Sequence, residues 1–288
     1  MIKSMTGYAA QSRELEQVSL HLELKSVNAR FLDIHFRVGD ELRFLEMPLR
    51  ELITSRAGRG KVECRLQMQS AAAKPRDLMP NPVALAHLKE MEAAVRREMP
   101  GAAALGVADI LRWPGILGDE SLDPEVLQEA CMGLAAAVVE EFVASRAREG
   151  EKLAAMLRER IARMRELVAQ AEPLLPQALA DYRERLAQKL REAVASLDEE
   201  RIRQEVGVFA TRIDVAEELS RLSAHMDETE RVLRQGGAAG KRLDFLMQEL
   251  NREANTLASK SVSGQVTAIA LELKLLIEQM REQVQNIE

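Results

Sequence analysis

The residues with the greatest capacity for chemistry lie in two stretches of a 288-residue chain. In the stretch GKRLDFLMQELNREANTLASK (240–260), helical periodicity places Leu243, Leu246, Met247, Leu250, Ala254 and Leu257 on one side. Asp244, Gln248, Asn251 and Asn255 form one polar row, while Glu249 and Glu253 form a second on the opposite flank of that stripe. Asn and Asp are poor helix formers, so propensity does not explain them here. Carboxylates and amides at this spacing can hold a hard metal ion or a phosphate; they can equally form a polar helix–helix interface. The second stretch, TRIDVAEELSRLSAH (211–225), puts Asp214, Glu218, Arg221 and His225 within about a 60° arc at 3.6 residues per turn. Acid, acid, base and imidazole in one row can bind a divalent ion or relay a proton. They can also be an ion-pair ladder, since Glu217 and Arg221 are i, i+4 partners.

Convergence of the two rows needs a fold-back. Residues Gln235 to Ala239 supply a Gly-containing turn that makes the two helices an antiparallel pair. On that reading Glu249 and Glu253 join Glu218 and His225 at one ion, with Asp214 near it, while Asp244 and Asn251 brace the pair. The catalytic candidates are His225, Glu253, Glu249 and Arg221: His225 or Glu253 can move a proton, and Arg221, Arg252 or Lys260 can hold phosphate oxygens. A last helix, about Val262 to Asn286, carries an unbroken apolar stripe through Ile287, which predicts a docked C-terminal segment.

Upstream, alternation marks strands. Val18, Leu20, Leu22 and Leu24 point one way; Phe31, Ile34, Phe36 and Val38 mark another strand; Val62, Cys64, Leu66 and Met68 mark a fourth after the Gly58–Gly60 turn. Asp40 is placed to cap a helix starting at Glu41, with Leu42, Leu45, Leu49, Leu52 and Ile53 inside. Residues 71–82 read as a loop and Val83–Met99 as a helix. Lys25, Ser26, Asn28 and Arg30 gather at one turn, and Arg56, Arg59 and Lys61 at the glycine turn, where backbone N–H groups and cations can meet a phosphate. Solvated basic turns are the plain alternative. His21 and His35 read as surface or cross-strand residues.

Residues 100–122 read as a connector in which Trp113, beside Pro114 and Gly115, anchors the loop to the core, with stacking on a base the alternative. From Asp123 the chain turns helical for a long way, with Pro173 and Pro176 ending or bending the helix and another running from about Gln177 to Leu197. Most of Arg146, Arg148, Arg158, Arg160, Arg163 and Arg165 are expected on a solvated face of this long arm. The expected class is α+β, predominantly helical. An N-terminal β-β-β-α-β-α domain (1–122) is followed by a helical arm (123–200) and an all-α C-terminal domain with the acidic/His motif (201–288).

Aromatics make up 3% of the chain and the net charge is −6, so bulk charge does not advertise nucleic-acid binding and any such contact must be local. Cys64 and Cys131 have no metal-ligand spacing and suit a reducing compartment. No signal core and no run of about eighteen apolar residues occurs, which predicts a soluble cytoplasmic protein.

The 240–260 stretch with the terminal REQVQNIE, together with SMTGYA, LKSVNARFLDIHFR and GRGKVE, closely resembles the bacterial YicC/YloC family of stress-linked endoribonucleases over nearly the whole chain. The resemblance implies endonucleolytic cleavage of RNA in bacterial RNA turnover or stress response, supported by a divalent metal, with Mn2+ expected and Mg2+ the other candidate. It further implies a ring-like homo-oligomer, a hexamer, working with other RNA-decay proteins and no membrane. Within that reading Lys25, Asn28, Arg30, Arg56, Arg59, Lys61, Arg252 and Lys260 contact RNA. Hard oxygen and imidazole donors suit manganese or magnesium better than zinc. The rival readings are a non-catalytic RNA-binding or RNase-adaptor protein, whose carboxylate rows are structural, and a coiled-coil scaffold without RNA.

Overall fold

A computed structural model describes residues 1–15, 18–70, 79–117, 124–193 and 199–288. Four strands, β1 (Gly7–Glu14), β2 (Val18–Val27), β3 (Leu32–Val38) and β4 (Gly60–Ser70), form a sheet in the order β1-β2-β4-β3. β1 and β4 run antiparallel to β2, while β3 runs parallel to β4. A parallel pair needs a crossover, and α1 (Glu46–Thr54) provides it. One face of the sheet is polar and open. The other presents Leu20, Leu22, Leu24, Val62, Cys64 and Leu66 to a buried core. Burial pushes the Cys64 thiol up to about 12 and Cys131 up to about 11, the latter eased by Arg13.

Two local expectations shift here. The helix after Gly39 opens as a 3-10 turn over Asp40–Leu45, and Asp40 pairs with Arg43 at 2.8 Å without capping it. Phe31 lies before β3 and is exposed, with parity opposite to Ile34, Phe36 and Val38.

Beyond β4, the helix α2 (Pro82–Glu98) is capped by Asn81, whose Oδ1 accepts from the Val83 and Ala84 amides. The expected connector contains a short helix, α3 (Val107–Arg112). Its anchor is not Trp113, which is 44% exposed, but Ile116, which is fully buried. The 71–82 loop lies outside the described residues except for its end, as do the start of the long helix at Asp123 and the end of the helix drawn to Leu197.

The long helix α4 (Pro124–Ala171) links two cores. Its first half, through Leu134, Val138 and Phe142, covers the buried face of the sheet. The second half, from Leu153 to Ala171, packs with α7 (Ala216–Gln235), α8 (Gly240–Lys260) and α9 (Gly264–Val284). A domain boundary at 122/123 therefore cuts a core: the apolar stripe of α4 closes the sheet before it closes the helical bundle. Past a 3-10 turn at Glu172–Leu174, α5 (Leu175–Ala193) packs on α6 (Glu199–Arg212). Among the described residues no helix is long and apolar enough to cross a membrane.

Arg146 departs from the solvated face assigned to the arginines of α4. It is fully buried one turn from Phe142, with its guanidinium 5.6 Å from that ring. Its Nε donates to the Ser4 carbonyl at 2.6 Å and its Nη2 to Glu288 Oε2 at 3.0 Å. Arg163 and Arg165 do face outward, yet both bridge helices, to Glu272 on α9 and to Asp227 and Glu230 on α7.

Candidate active site

α7 and α8 fold into the antiparallel pair that the 235–239 turn requires. Gly236 and Gly237 take φ of +68° and +81°, a region open to glycine at little cost. The first amides of α8 do not go unsatisfied: Ala239 and Gly240 both donate to the Glu288 carbonyl, at 3.0 and 3.1 Å. Leu219, Leu222 and Met226 of α7 are buried in the same core as Leu243, Leu246, Met247, Leu250, Ala254 and Leu257 of α8. With the apolar stripes committed inward, the flanking polar positions of the two helices come together.

The meeting point is formed by His225, Glu249 and Glu253. One donor atom from each lies within 4.8 Å of the other two. Glu253 is 4% exposed, and His225 and Glu249 are half-buried. Arg221, one turn before His225, holds Glu217 at 2.6 Å and stands 3.6 Å from Glu253 Oε1. Thr229 fixes the local helix by donating to the His225 carbonyl at 2.7 Å. Two carboxylates this close, one of them buried, repel each other unless a proton or a cation intervenes. Arg221 supplies part of that charge. One imidazole and two carboxylates also form the hard donor set that suits Mn2+ or Mg2+ better than zinc in a thiolate cage.

The rest of the expected ligand row lies elsewhere. α7 begins at Ala216, so Asp214 precedes the helix, and its Oδ1 accepts the Ala216 amide at 3.0 Å. Asp214 therefore shares no helical face with Glu218 and His225. Glu218, 5% exposed, accepts from Lys260 Nζ at 2.7 Å. Its hydrogen bond is the largest cause raising the Lys260 pKa. Lys260 also reaches the Asp214 carbonyl at 3.4 Å. Asp214, Glu218 and Lys260 thus form a separate acid–lysine group toward the end of α8, which commits Lys260 to a carboxylate. Asp244 and Asn251 do not brace the pair. Asp244 accepts from Gln248 at 2.9 Å and Asn251 from Asn255 at 3.5 Å, both along α8 itself. Arg252 is exposed beside Glu253.

The basic turns gather at one end of the sheet, because β2 ends where β3 and β4 begin: Val27 pairs with Lys61 and Leu32 with Gly60. Lys25, Asn28, Arg30, Arg56 and Lys61 are exposed and Arg59 is half-buried. Arg59 Nε donates to the Arg30 carbonyl at 3.2 Å, tying the two turns together. Ser26 turns inward and donates to the Met5 carbonyl at 2.7 Å. The Gly58 amide, expected to be open to a phosphate, donates instead to Glu288 Oε1 at 2.7 Å, so the cations rather than this N–H face solvent. His21 bonds Ser12 and His35 bonds Asp33, each at 2.9 Å, on the open face of the sheet.

The sequence alone points Arg146 to a solvated face and Phe31 to a strand, and gives Glu288 no role. Arg146 sits four residues from both Phe142 and Gly150, a spacing that marks the buried stripe, and Phe31 is out of phase with its strand. The Arg146–Glu288 pairing itself had no local signal.

Comparison with known proteins covers both halves of the molecule. Residues 2–155 match a family model described as "Endoribonuclease YicC-like, N-terminal region", and residues 171–288 match "Endoribonuclease YicC-like, C-terminal". The chain is 39% identical over 288 residues to a Haemophilus influenzae protein named "Probable endoribonuclease YicC", covering all of both chains. It is 26% identical over 295 residues to a Clostridioides difficile protein of the same name, again over the full length of both. Both family matches and the full-length relatives carry the conclusion that the chain belongs to the YicC-like endoribonuclease family.

Proposed function

We propose that the protein is an endoribonuclease whose reaction centre is the His225–Glu249–Glu253 cluster, with Arg221 beside it, supported by a divalent ion, Mn2+ first and Mg2+ second. The convergence of three donor atoms within 4.8 Å on facing helices carries the reading. The names of the full-length relatives support the activity. These three side chains would hold a divalent ion, which would supply a Lewis acid for the scissile phosphate and a means of activating water.

The chain's own groups do the rest. Glu253, through a carboxylate oxygen left free of the ion, takes a proton from the attacking oxygen and gives a proton back to the leaving oxygen. His225 takes that role only where the two glutamates hold the ion without it, because a coordinated imidazole has no second lone pair. Arg221, anchored through Glu217, keeps Glu253 oriented and places positive charge where phosphate oxygens arrive. Arg30, Arg56, Arg59 and Lys61 hold the RNA backbone, and Lys25 and Asn28 extend that surface. The protein acts as a homo-oligomer, a hexamer, in bacterial RNA turnover or stress response. Exposed apolar side chains on α8 and α9, Phe245, Leu271 and Leu275, offer surface for self-association.

The test incubates purified protein with end-labelled RNA in Mn2+, in Mg2+ and in chelator, with light scattering to give its mass. Internal cut products that require the metal are expected from a particle of several chains. Retention of RNA without cutting would favour the adaptor role instead, and a monomer would overturn the assembly.

A further inference from the structure

Phe31 stands out among the exposed apolar residues because of what surrounds it. It is 71% exposed, at the turn between β2 and β3. The segments 25–31 (KSVNARF) and 56–61 (RAGRGK) contain Lys25, Arg30, Arg56, Arg59 and Lys61 and no acidic residue, in a chain whose net charge is −6. Strand register brings the two segments to the same end of the sheet. The Phe31 backbone is tethered, its carbonyl accepting the Gly60 amide at 3.4 Å, and the guanidinium of Arg30 lies 5.4 Å from its ring centroid. Gly60, at φ +115°, turns the chain so that this contact can form. Isolated apolar side chains are ordinary on a protein surface. An exposed aromatic ring on a tethered backbone, among five basic side chains, is an arrangement that can receive an unpaired nucleobase, with the ring stacking on the base while the cations neutralise the flanking phosphates.

We propose that Phe31 is a base-stacking residue, the platform on which an unpaired base of an RNA strand rests while Arg30, Arg56, Arg59 and Lys61 hold its backbone. This rests on the reading of the protein as an RNA-cleaving enzyme and adds to it the way the strand is gripped. Stacking requires a base free of its helix, so the platform selects unpaired segments and ignores base identity. The ring carries no charge, and its removal therefore leaves the ionic part of binding untouched.

The experiment measures binding of a fluorescein-labelled, U-rich single-stranded RNA dodecamer to the full chain by anisotropy, in chelator to prevent cutting, across a series of salt concentrations. Phe31→Ala is expected to weaken binding by about tenfold with the slope of log K against log salt unchanged. Phe31→Trp should retain wild-type affinity. Arg59→Ala with Lys61→Ala should weaken binding and flatten the slope, because phosphate contacts are lost. A fully paired RNA duplex should bind Phe31→Ala and wild type equally. If Phe31→Ala binds the single strand as wild type does while the double variant is weakened, RNA crosses the turns without stacking and the proposal fails. A loss of particle mass in Phe31→Ala, with RNA affinity kept, would assign the ring to contact between copies and overturn it as well. Failure of the wild type to retain any RNA would instead remove the enzymatic reading beneath it.

Discussion

Arg146 Nη2 donates to Glu288 Oε2 at 3.0 Å, joining the middle of α4 to a residue 142 positions later. The same carboxylate receives the Gly58 amide through Oε1, and the Glu288 carbonyl receives the first amides of α8. Arg146 also reaches back to Ser4, and its own carbonyl accepts the Ser4 amide at 3.0 Å. One residue pair therefore ties the N-terminal segment, the glycine turn, the long helix and the start of the candidate catalytic helix. Burial lowers the Arg146 pKa and Glu288 opposes that shift. Removing one partner strands a charge in the interior, so Glu288→Ala should destabilise the protein by about 3–5 kcal/mol. Arg146→Met should cost less, since the volume is kept and Glu288 can turn to water. Denaturant unfolding of the two variants tests this. Equal midpoints for Glu288→Ala and wild type would mean that the pair is not what closes the structure.

Gly150 lies one turn beyond Arg146, and a Cβ there would stand 2.3 Å from the Ile2 carbonyl oxygen. That oxygen belongs to backbone, which cannot swing aside as a long side chain can. Gly150→Ala should therefore push the N-terminal segment off α4, at a cost of at least about 1–3 kcal/mol, even though alanine favours helix. The signature is a lower melting temperature together with faster amide exchange at Ser4 and Met5. A gain in stability would show that the segment yields freely.

What could be read from sequence follows from how local the cause was. The apolar period of α8 depends on near neighbours, and all six predicted inward residues, from Leu243 to Leu257, are buried. The strand alternation and the α7–α8 turn were legible for the same reason. Asp214 was not, because a wheel assumes the helix continues and the chain starts its helix two residues later. Glu218 was placed on the right helix, but its preference for Lys260 over His225 is decided by how α7 and α8 slide against each other. Arg146 was masked by residue type: arginine is usually solvated, while its spacing from Phe142 and Gly150 said buried. The distant Glu288, together with the Ser4 carbonyl, makes that burial tolerable.

Glu228 gives the α7–α8 pair a dependence on pH. Its carboxyl is held down to about 2, chiefly by hydrogen bonds from Arg231, with desolvation opposing and Arg242 adding to the effect. Arg231 donates to both oxygens at 2.6 Å, and Arg242 donates across from α8. The folded pKa lies below the ordinary value of 4.5, so the contribution is complete above that pH and disappears as pH falls through about 2. Glu228→Gln should accordingly melt below wild type at pH 7, with a gap that is constant down to about pH 5 and clearly narrower at pH 3. A gap that stays the same at pH 3 would mean the ionised carboxylate is not the source.

The division of the acidic residues into two groups makes the sharpest test of the site. Glu253 and His225 belong to the converging cluster, whereas Glu218 is held by Lys260. Both glutamates are buried, on neighbouring helices, so burial alone cannot separate their roles. If the cluster performs the chemistry, Glu253→Gln and His225→Ala should cut metal-supported RNA cleavage by about a hundredfold or more. Their RNA affinity and particle mass should be nearly unchanged, because the lost interaction acts mainly in the transition state. Glu218→Gln removes a carboxylate of the same type and similar burial; it should lower stability by taking away the negative charge that faces Lys260, yet keep cleavage within a few-fold of wild type. Initial rates, anisotropy and thermal melts on the three variants separate the effects. Cleavage by a folded Glu253→Gln protein at the wild-type rate would remove that residue from the reaction. A Glu218→Gln variant as inactive as His225→Ala, with its fold intact, would return Glu218 to the catalytic group and require Lys260 to release it when RNA and metal bind.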